Sequence, residues 1–402
     1  MIDLAIVGGG AAGIAAATDA KARGLTLVIL EASNRIGGRA HSVSWQGHAL
    51  DLGAGWLHSA DRNPMVPLAE QLGLEINRAP SVWRKQYRNL GYSPEEQAES
   101  WAAMEAFEER LLTRPPPSDR AGDALDPGSE WNGFLDALSN YLNGADLSQV
   151  SAEDWVAYWE ASDMSNWRLP QGYGALVAAL AVGIDVRTGC AVREIDWTSQ
   201  HVRLTAERGT IEARHAIVAV PTSVLSSGKV RFFPPLDDRL DAAAQLPLGN
   251  VEKLFFALDD PERFPSDTHL TGNPRSAESG SYTLRPIGMP VIEAFLGGAW
   301  LKDLSTDDLA AKVREELGSL LGEDFGRNLE LVAASDWRTH PLIRGSYSFA
   351  RPGQHGARAR LRAPVNGPIA FAGEACSDED YATVHGAWQS GLEAVAQLFG
   401  SS

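Results

Sequence analysis

The chain has 402 residues, with 35 Lys+Arg against 52 Asp+Glu and a formal charge of −17. That length favours two or three domains with room for a cofactor, and 44% hydrophobic with 22% charged residues excludes a disordered chain. The acidity argues against nucleic acid as the main ligand and is compatible with a cationic partner.

Two cysteines, Cys190 and Cys376, stand far apart and outside any CxxC or Cys/His cluster. Neither a disulfide framework nor a metal site is expected, and a reducing compartment is. No apolar run approaches the ~18 residues of a spanning helix. Strand-like sequence begins directly after Met1, so a cytoplasmic protein without a leader is expected.

Residues 4–7 form an apolar, β-branched run, followed at once by Gly8-x-Gly10-x-x-Gly13. An Ala-rich helical stretch over 14–23 leads to a second strand over 25–30, which ends at Glu31. This is a β–α–β unit of the length a parallel crossover requires. Residues 94–160 carry helical patterning, broken by Pro115-Pro116-Pro117 and a loop over 126–129. Strand-like runs return at 184–186, 192–197, 201–206 and 217–220, and strands and helices are expected to alternate from 251 to 350. A buried strand over 369–372 and a helix over 385–399 close the chain. The predicted fold is α/β with two interleaved domains. Segments 1–80, 176–245 and 351–402 would bind the dinucleotide, and 81–175 with 246–350 would form the second domain.

The glycines sit between a strand and a helix, the context in which the motif carries weight. Gly8 permits the tight turn, Gly10 lets the backbone approach a pyrophosphate, and Gly13 lets helix and strand pack closely. Glu31 follows Gly13 by 18 positions, where a carboxylate accepts from adenosine ribose hydroxyls.

The continuation separates flavin from nicotinamide. Glu31-Ala-Ser-Asn-Arg-Ile-Gly-Gly-Arg39 and Asp51-Leu-Gly-Ala-Gly-Trp-Leu-His58 resemble the flavin-containing amine oxidase superfamily. So do Phe371-Ala-Gly-Glu-Ala375 and Val384-His-Gly-Ala387, in matching order along essentially the whole chain. The resemblance implies FAD, held in a Rossmann-like domain interleaved with an α+β substrate domain. It places Gly8, Gly10, Ala12, Gly13, Glu31, Gly38, Arg39, Gly55, Trp56, Val192, Trp337, Gly373, Glu374 and Val384 on the cofactor, with Glu374 holding a ribityl hydroxyl.

Asn250-Val-Glu-Lys-Leu-Phe-Phe-Ala257 carries a lysine inside an apolar run. Lys is rarely buried without a partner, and from the residues alone the plainer reading is a strand-end lysine reaching water. The superfamily has a lysine here, joined through water to flavin N5, and Lys253 matches it. Its charge would assist oxygen in reacting with reduced flavin. Arg344-Gly-Ser-Tyr-Ser-Phe349 matches a block that puts an aromatic residue, here Tyr347, over the substrate. Ser346 stands where animal monoamine oxidases carry a cysteine joined to FAD; serine forms no thioether, so non-covalent FAD is expected.

Thr383 stands where monoamine oxidases close an aromatic cage with a second tyrosine. Tyr381-Ala-Thr-Val-His-Gly-Ala387 is instead similar to polyamine oxidases and lysine-specific histone demethylases. Gly55-Trp-Leu-His58 followed by Asn63-Pro-Met-Val-Pro-Leu-Ala69 agrees, which implies that His58 lines the substrate tunnel. The expectation is an FAD-dependent amine oxidase with a polyamine-like substrate favoured, oxygen as acceptor and hydrogen peroxide as product. An aliphatic ammonium has a pKa near ~10.4, so an aromatic, uncharged pocket is expected to strip its proton by desolvation. Glu160 or Asp163 would hold a distal ammonium farther out. The alternatives are an L-amino-acid oxidase, in which Arg84 or Arg344 would meet the substrate carboxylate, and a flavin-containing peptide-binding module.

Overall fold

The computed structural model describes residues 1–400. The strand Ile2–Val7 is fully buried from Leu4 onward, as a parallel sheet covered on both faces demands. It lies between Leu27–Leu30 and Gly209–Val218, all parallel, with Val186–Arg187 and Ile369–Phe371 extending the parallel set outward. Segments hundreds of residues apart thus share one eight-stranded sheet. The first half of Gly209–Val218 pairs antiparallel with Val202–Ala206, and that strand with Val192–Asp196. The expected strand over 184–186 shrinks to Val186–Arg187. Helix Ala11–Ala22 presents buried alanines, and Gly391 of the final helix, Val384–Phe399, packs directly on Ala12 and Ala15.

The second sheet has five antiparallel strands in the order Thr268–Thr271, Ser281–Leu284, Val291–Gly297, Val251–Ala257 and Leu331–Ala334. The expected alternation of strands and helices over 251–350 does not occur. Four strands come first and the helix Thr306–Leu321 follows, because antiparallel neighbours need no crossover helix. Leu254, Phe256, Ile292 and Leu296 pack against Leu309, Val313 and Leu317 of that helix. Side chains alternate along a strand, so Lys253, Phe255, Glu293 and Phe295 face the other way, where Phe255 packs on Leu50, Leu52 and Trp337.

Three helices cover the remaining side: Pro94–Thr113, Asn132–Asn143 and Ala152–Ala161. Ser93 and Glu96 start the first with a reciprocal capping box, and Phe107, Trp131, Phe134 and Trp155 form their shared core. No helix among the described residues is long and apolar enough to cross a membrane.

Candidate active site

A cavity of about 520 Å³ runs from the glycine loop to the inner face of the second sheet, within the size range of small-molecule sites. At its first end Gly8 adopts φ +108°, and a Cβ there would strike the Ala219 carbonyl. A Cβ on Gly10 would meet nothing within 4 Å, so the backbone is open to a ligand at that point. Helix Ala11–Ala22 starts at Gly10 without a side-chain cap. Its first N–H groups and partial positive charge are left for an anion. Glu31 is fixed at the rim by the amides of Gly9 (2.6 Å) and Ser33 (2.7 Å). Gly13 does not line the cavity; a Cβ on it would collide with the Gly8 carbonyl, so its part is the close packing of helix on strand. An open glycine, an uncapped helix and a fixed acid fit a dinucleotide.

The other expected cofactor residues, Ala12, Gly38, Arg39, Gly55, Trp56, Val192, Trp337, Gly373, Glu374 and Val384, line the same cavity. Glu374 is almost fully used by the protein. Its Oε1 accepts from Arg39 (2.8 Å) and the Ser348 amide (3.1 Å), and its Oε2 from the Ser348 hydroxyl (2.6 Å) and the Ala382 amide (3.0 Å). Trp337 donates its indole N–H to the Leu52 carbonyl at 2.8 Å. Buried Glu252 accepts from the Trp337 and Arg338 amides at 3.1 and 3.0 Å, tying that loop to the lysine strand, Val251–Ala257.

On the substrate side Lys253, His58, Tyr347 and Thr383 also converge on the cavity. His58 donates Nδ1–H to Asn166 Oδ1 at 2.6 Å, and burial lowers its pKa to about 4, so its ring is neutral. Tyr347 donates its hydroxyl to the Tyr141 carbonyl, and burial raises its pKa. Thr383 caps the final helix, accepting from the Gly386 amide at 3.0 Å and donating to the Asp380 carbonyl at 2.6 Å. Ser346 donates to the Gly249 carbonyl at 2.9 Å. With these hydroxyls held by backbone and the imidazole neutral, these four residues offer no nucleophile–base pair. Its residues can orient and desolvate a ligand, and redox chemistry must come from a group in the cradle.

The inner face of the second sheet departs from the expected uncharged pocket. Directly opposed residues share a face, and the register aligns His269, Thr283, Glu293 and Phe255 in one row and Thr271, Ser281, Phe295 and Lys253 in the next. Lys253 Nζ lies 3.0 Å from Glu293 Oε1, and Arg168 Nη2 lies 2.7 Å from Glu293 Oε2. All three side chains are nine-tenths or more buried. Burial alone would raise the Glu293 carboxyl, but Arg168 and Lys253 hold it at about 2. The Arg168 guanidinium lies 4.0 Å over Trp56.

Glu160 and Asp163, expected near a distal ammonium, are exposed and do not line the cavity; Asp163 accepts from the Ser165 amide at 2.8 Å. Arg84 does line it, stacked 4.4 Å over Trp101, whereas Arg344 is exposed.

Sequence reasoning missed Glu293 and Arg168. Glu293 carried the same signal as Lys253, a lone charge inside the apolar run Val291-Ile-Glu-Ala-Phe-Leu296. Arg168 lies between Trp167 and Leu169 with no motif around it.

The family described as "Flavin containing amine oxidoreductase" matches residues 11–399. "Polyamine oxidase 3" of Oryza sativa subsp. japonica is 30% identical over 98% of this chain and 88% of its own length. "Polyamine oxidase 2" of Arabidopsis thaliana is 28% identical over 97% of this chain and 86% of its own length. A solved structure of putrescine oxidase bound to putrescine superposes with a TM-score of 0.80 at 21% identity, covering 100% of this chain and 99% of that one; at that identity the likeness speaks to the fold. With a match along nearly its whole length and the glycine cradle in place, the chain belongs to the flavin containing amine oxidoreductase family.

Proposed function

We propose that the protein is an FAD-dependent oxidase of primary or secondary amines, with a polyamine-like substrate favoured by its relatives. The observation that carries this reading is one continuous cavity joining the dinucleotide cradle to buried Lys253 and half-buried Tyr347 and His58. FAD bound in this cradle would supply a two-electron acceptor for the hydride on the carbon beside nitrogen, leaving an imine that water would hydrolyse to an aldehyde and ammonia or an amine, and oxygen would take the two electrons and two protons as hydrogen peroxide.

The chain's part begins with the substrate proton. Hydride loss needs a free nitrogen lone pair, and a dry cavity disfavours the ammonium form. Lys253 and Arg168 bracket Glu293 at that wall, so its carboxylate is already engaged and offers the ammonium no free anion. Tyr347, its hydroxyl anchored, presents a ring to the substrate. Ser346 supports non-covalent FAD, and two buried free thiols fit a reducing cytoplasm. The division into segments 1–80, 176–245 and 351–402 against 81–175 and 246–350 is supported by the first sheet's strands falling in the former and the second sheet's in the latter.

A second reading is an amine with one basic nitrogen. Among the described lining residues the carboxylates are Glu31, Glu293 and Glu374. The first and last lie in the cofactor half and Glu293 is held by two cations, so no free acid awaits a second ammonium. Anaerobic bleaching of the flavin by spermidine, putrescine, benzylamine and leucine separates the readings. Fastest bleaching by spermidine or putrescine supports the first, and by benzylamine the second. Bleaching by leucine alone would overturn both in favour of an amino-acid oxidase, and acid precipitation of the same sample should release all flavin from the polypeptide.

A further inference from the structure

Lys253 is buried, yet it stands on a strand whose own neighbours give its ammonium nothing to bond. Its backbone amide donates to Ser335 Oγ at 2.8 Å, which fixes the strand but does not by itself place the ammonium. The ammonium meets its carboxylate from the adjacent strand. In the register Lys253 opposes Phe295 and Glu293 opposes Phe255, so Lys253 and Glu293 are diagonal neighbours on one face, a separation long side chains span. Glu293 in turn is fixed from a third element by Arg168, which is sandwiched between the carboxylate and the Trp56 ring. A Cβ on Gly55 would lie 3.0 Å from Lys253 Nζ, so any side chain at that position would crowd the ammonium. Asp51 and His58 are the other titratable groups felt at this corner.

We propose that Glu293 is a positioning residue for Lys253, with Arg168 as the brace that keeps the carboxylate in place. Each carboxylate oxygen serves one cation, so Glu293 cannot turn toward Arg168 without releasing the lysine. Within the trio two cations share one carboxylate, so Glu293 aims Lys253 while dividing its own charge between the lysine and the brace. The proposal rests on the reading that Lys253 faces flavin N5, and its test separates the two.

The experiment compares Lys253→Met, Glu293→Gln, Glu293→Asp and the double variant Arg168→Leu/Glu293→Leu. Removing one member of a buried ion pair leaves a charge stranded, whereas replacing carboxylate and brace together by apolar side chains is often neutral for folding. The double variant therefore keeps the test open if Glu293→Gln does not fold. Two quantities are read on the holoenzyme: the dissociation constant of sulfite, an anion that adds at flavin N5, and the rates of flavin reduction and reoxidation.

Lys253→Met is expected to weaken sulfite binding and slow reoxidation about tenfold or more. Glu293→Gln and the double variant should do the same within about threefold, with flavin reduction changed less than twofold and Glu293→Asp partly restored. Combined with Lys253→Met, Glu293→Gln should add nothing further, the non-additivity of residues acting through one another. If the glutamate only cancelled charge, its removal would tighten sulfite binding, and that result overturns the proposal, as does an unchanged dissociation constant. Equal losses in reduction and reoxidation would also overturn it, since a structural defect acts on both. If Lys253→Met itself changes neither quantity, the lysine reading fails and the positioning role with it. If only the glutamate variants are silent, the lysine reading stands alone.

Discussion

Asp51 sits on the strand His48–Asp51, accepting hydrogen bonds from the Ser42 hydroxyl and from the Tyr173 amide at 3.0 Å. Burial raises its carboxyl from 3.8 to about 6, with Lys253 and those hydrogen bonds opposing the rise. A raised acid binds its proton more tightly in the folded state, so stability is greatest below the unfolded value and falls as pH rises through about 4 to 6. At 1.36 kcal/mol per unit the effect is at most ~3 kcal/mol, less for the fraction of the group that water reaches. Asp51→Asn should remove it. Its melting temperature relative to the parent is expected to climb between about pH 4 and 7, and a constant difference would show that Asp51 is ionised throughout. Asp51 lay in plain sight within the motif that reveals the family, but its titration depends on Ser42, Tyr173 and Lys253, none of them a sequence neighbour. The same holds for Glu293, whose burial could be read from its apolar flanks while its partners could not.

Among elements, the decisive contact is between two short helices. Asp154 of Ala152–Ala161 takes Arg358 of Ala357–Arg362 in a two-point ion pair at 2.7 and 2.8 Å, both side chains fully buried. Arg358 also donates to Ser348 Oγ at 2.9 Å, and that hydroxyl donates to Glu374. A chain of charge-assisted bonds thus runs from the helical layer to the proposed ribityl corner. Arg358→Met strands a buried carboxylate and should cost about 3–5 kcal/mol in urea unfolding. Adding Asp154→Leu should restore most of that stability while leaving Glu374 loosened, read as faster FAD loss on dialysis. Unchanged FAD retention would confine the pair to a structural role. The β–α–β unit was legible because its signals are local: an apolar strand, three spaced glycines and an alanine helix. The five-stranded sheet was misjudged as alternating, because short apolar runs do not declare whether a crossover or a hairpin joins them.

For the molecule as a whole, the charge of −17 and the cavity have opposite signs. Seven Lys and Arg side chains line the cavity against three carboxylates among the described residues, so the acidic excess belongs to the exterior. There it can gather cationic amines by long-range steering, an effect on association that salt screens. For a cationic amine kcat/KM should fall by up to about tenfold as ionic strength rises from about 0.01 to 0.3 M, with kcat constant; a flat profile would show that the exterior charge plays no part in capture. The sequence by itself determined the family and pointed to a cluster of residues that the structure brings to one cavity, because those signals are short motifs at fixed spacing in the chain. Only the tertiary structure decided the character of the cavity's charged inner wall. Lys253 and Glu293 come from two strands and Arg168 from the segment just after Asn166–Trp167, and a buried charge acquires its meaning from a partner that only folding brings within 3.0 Å.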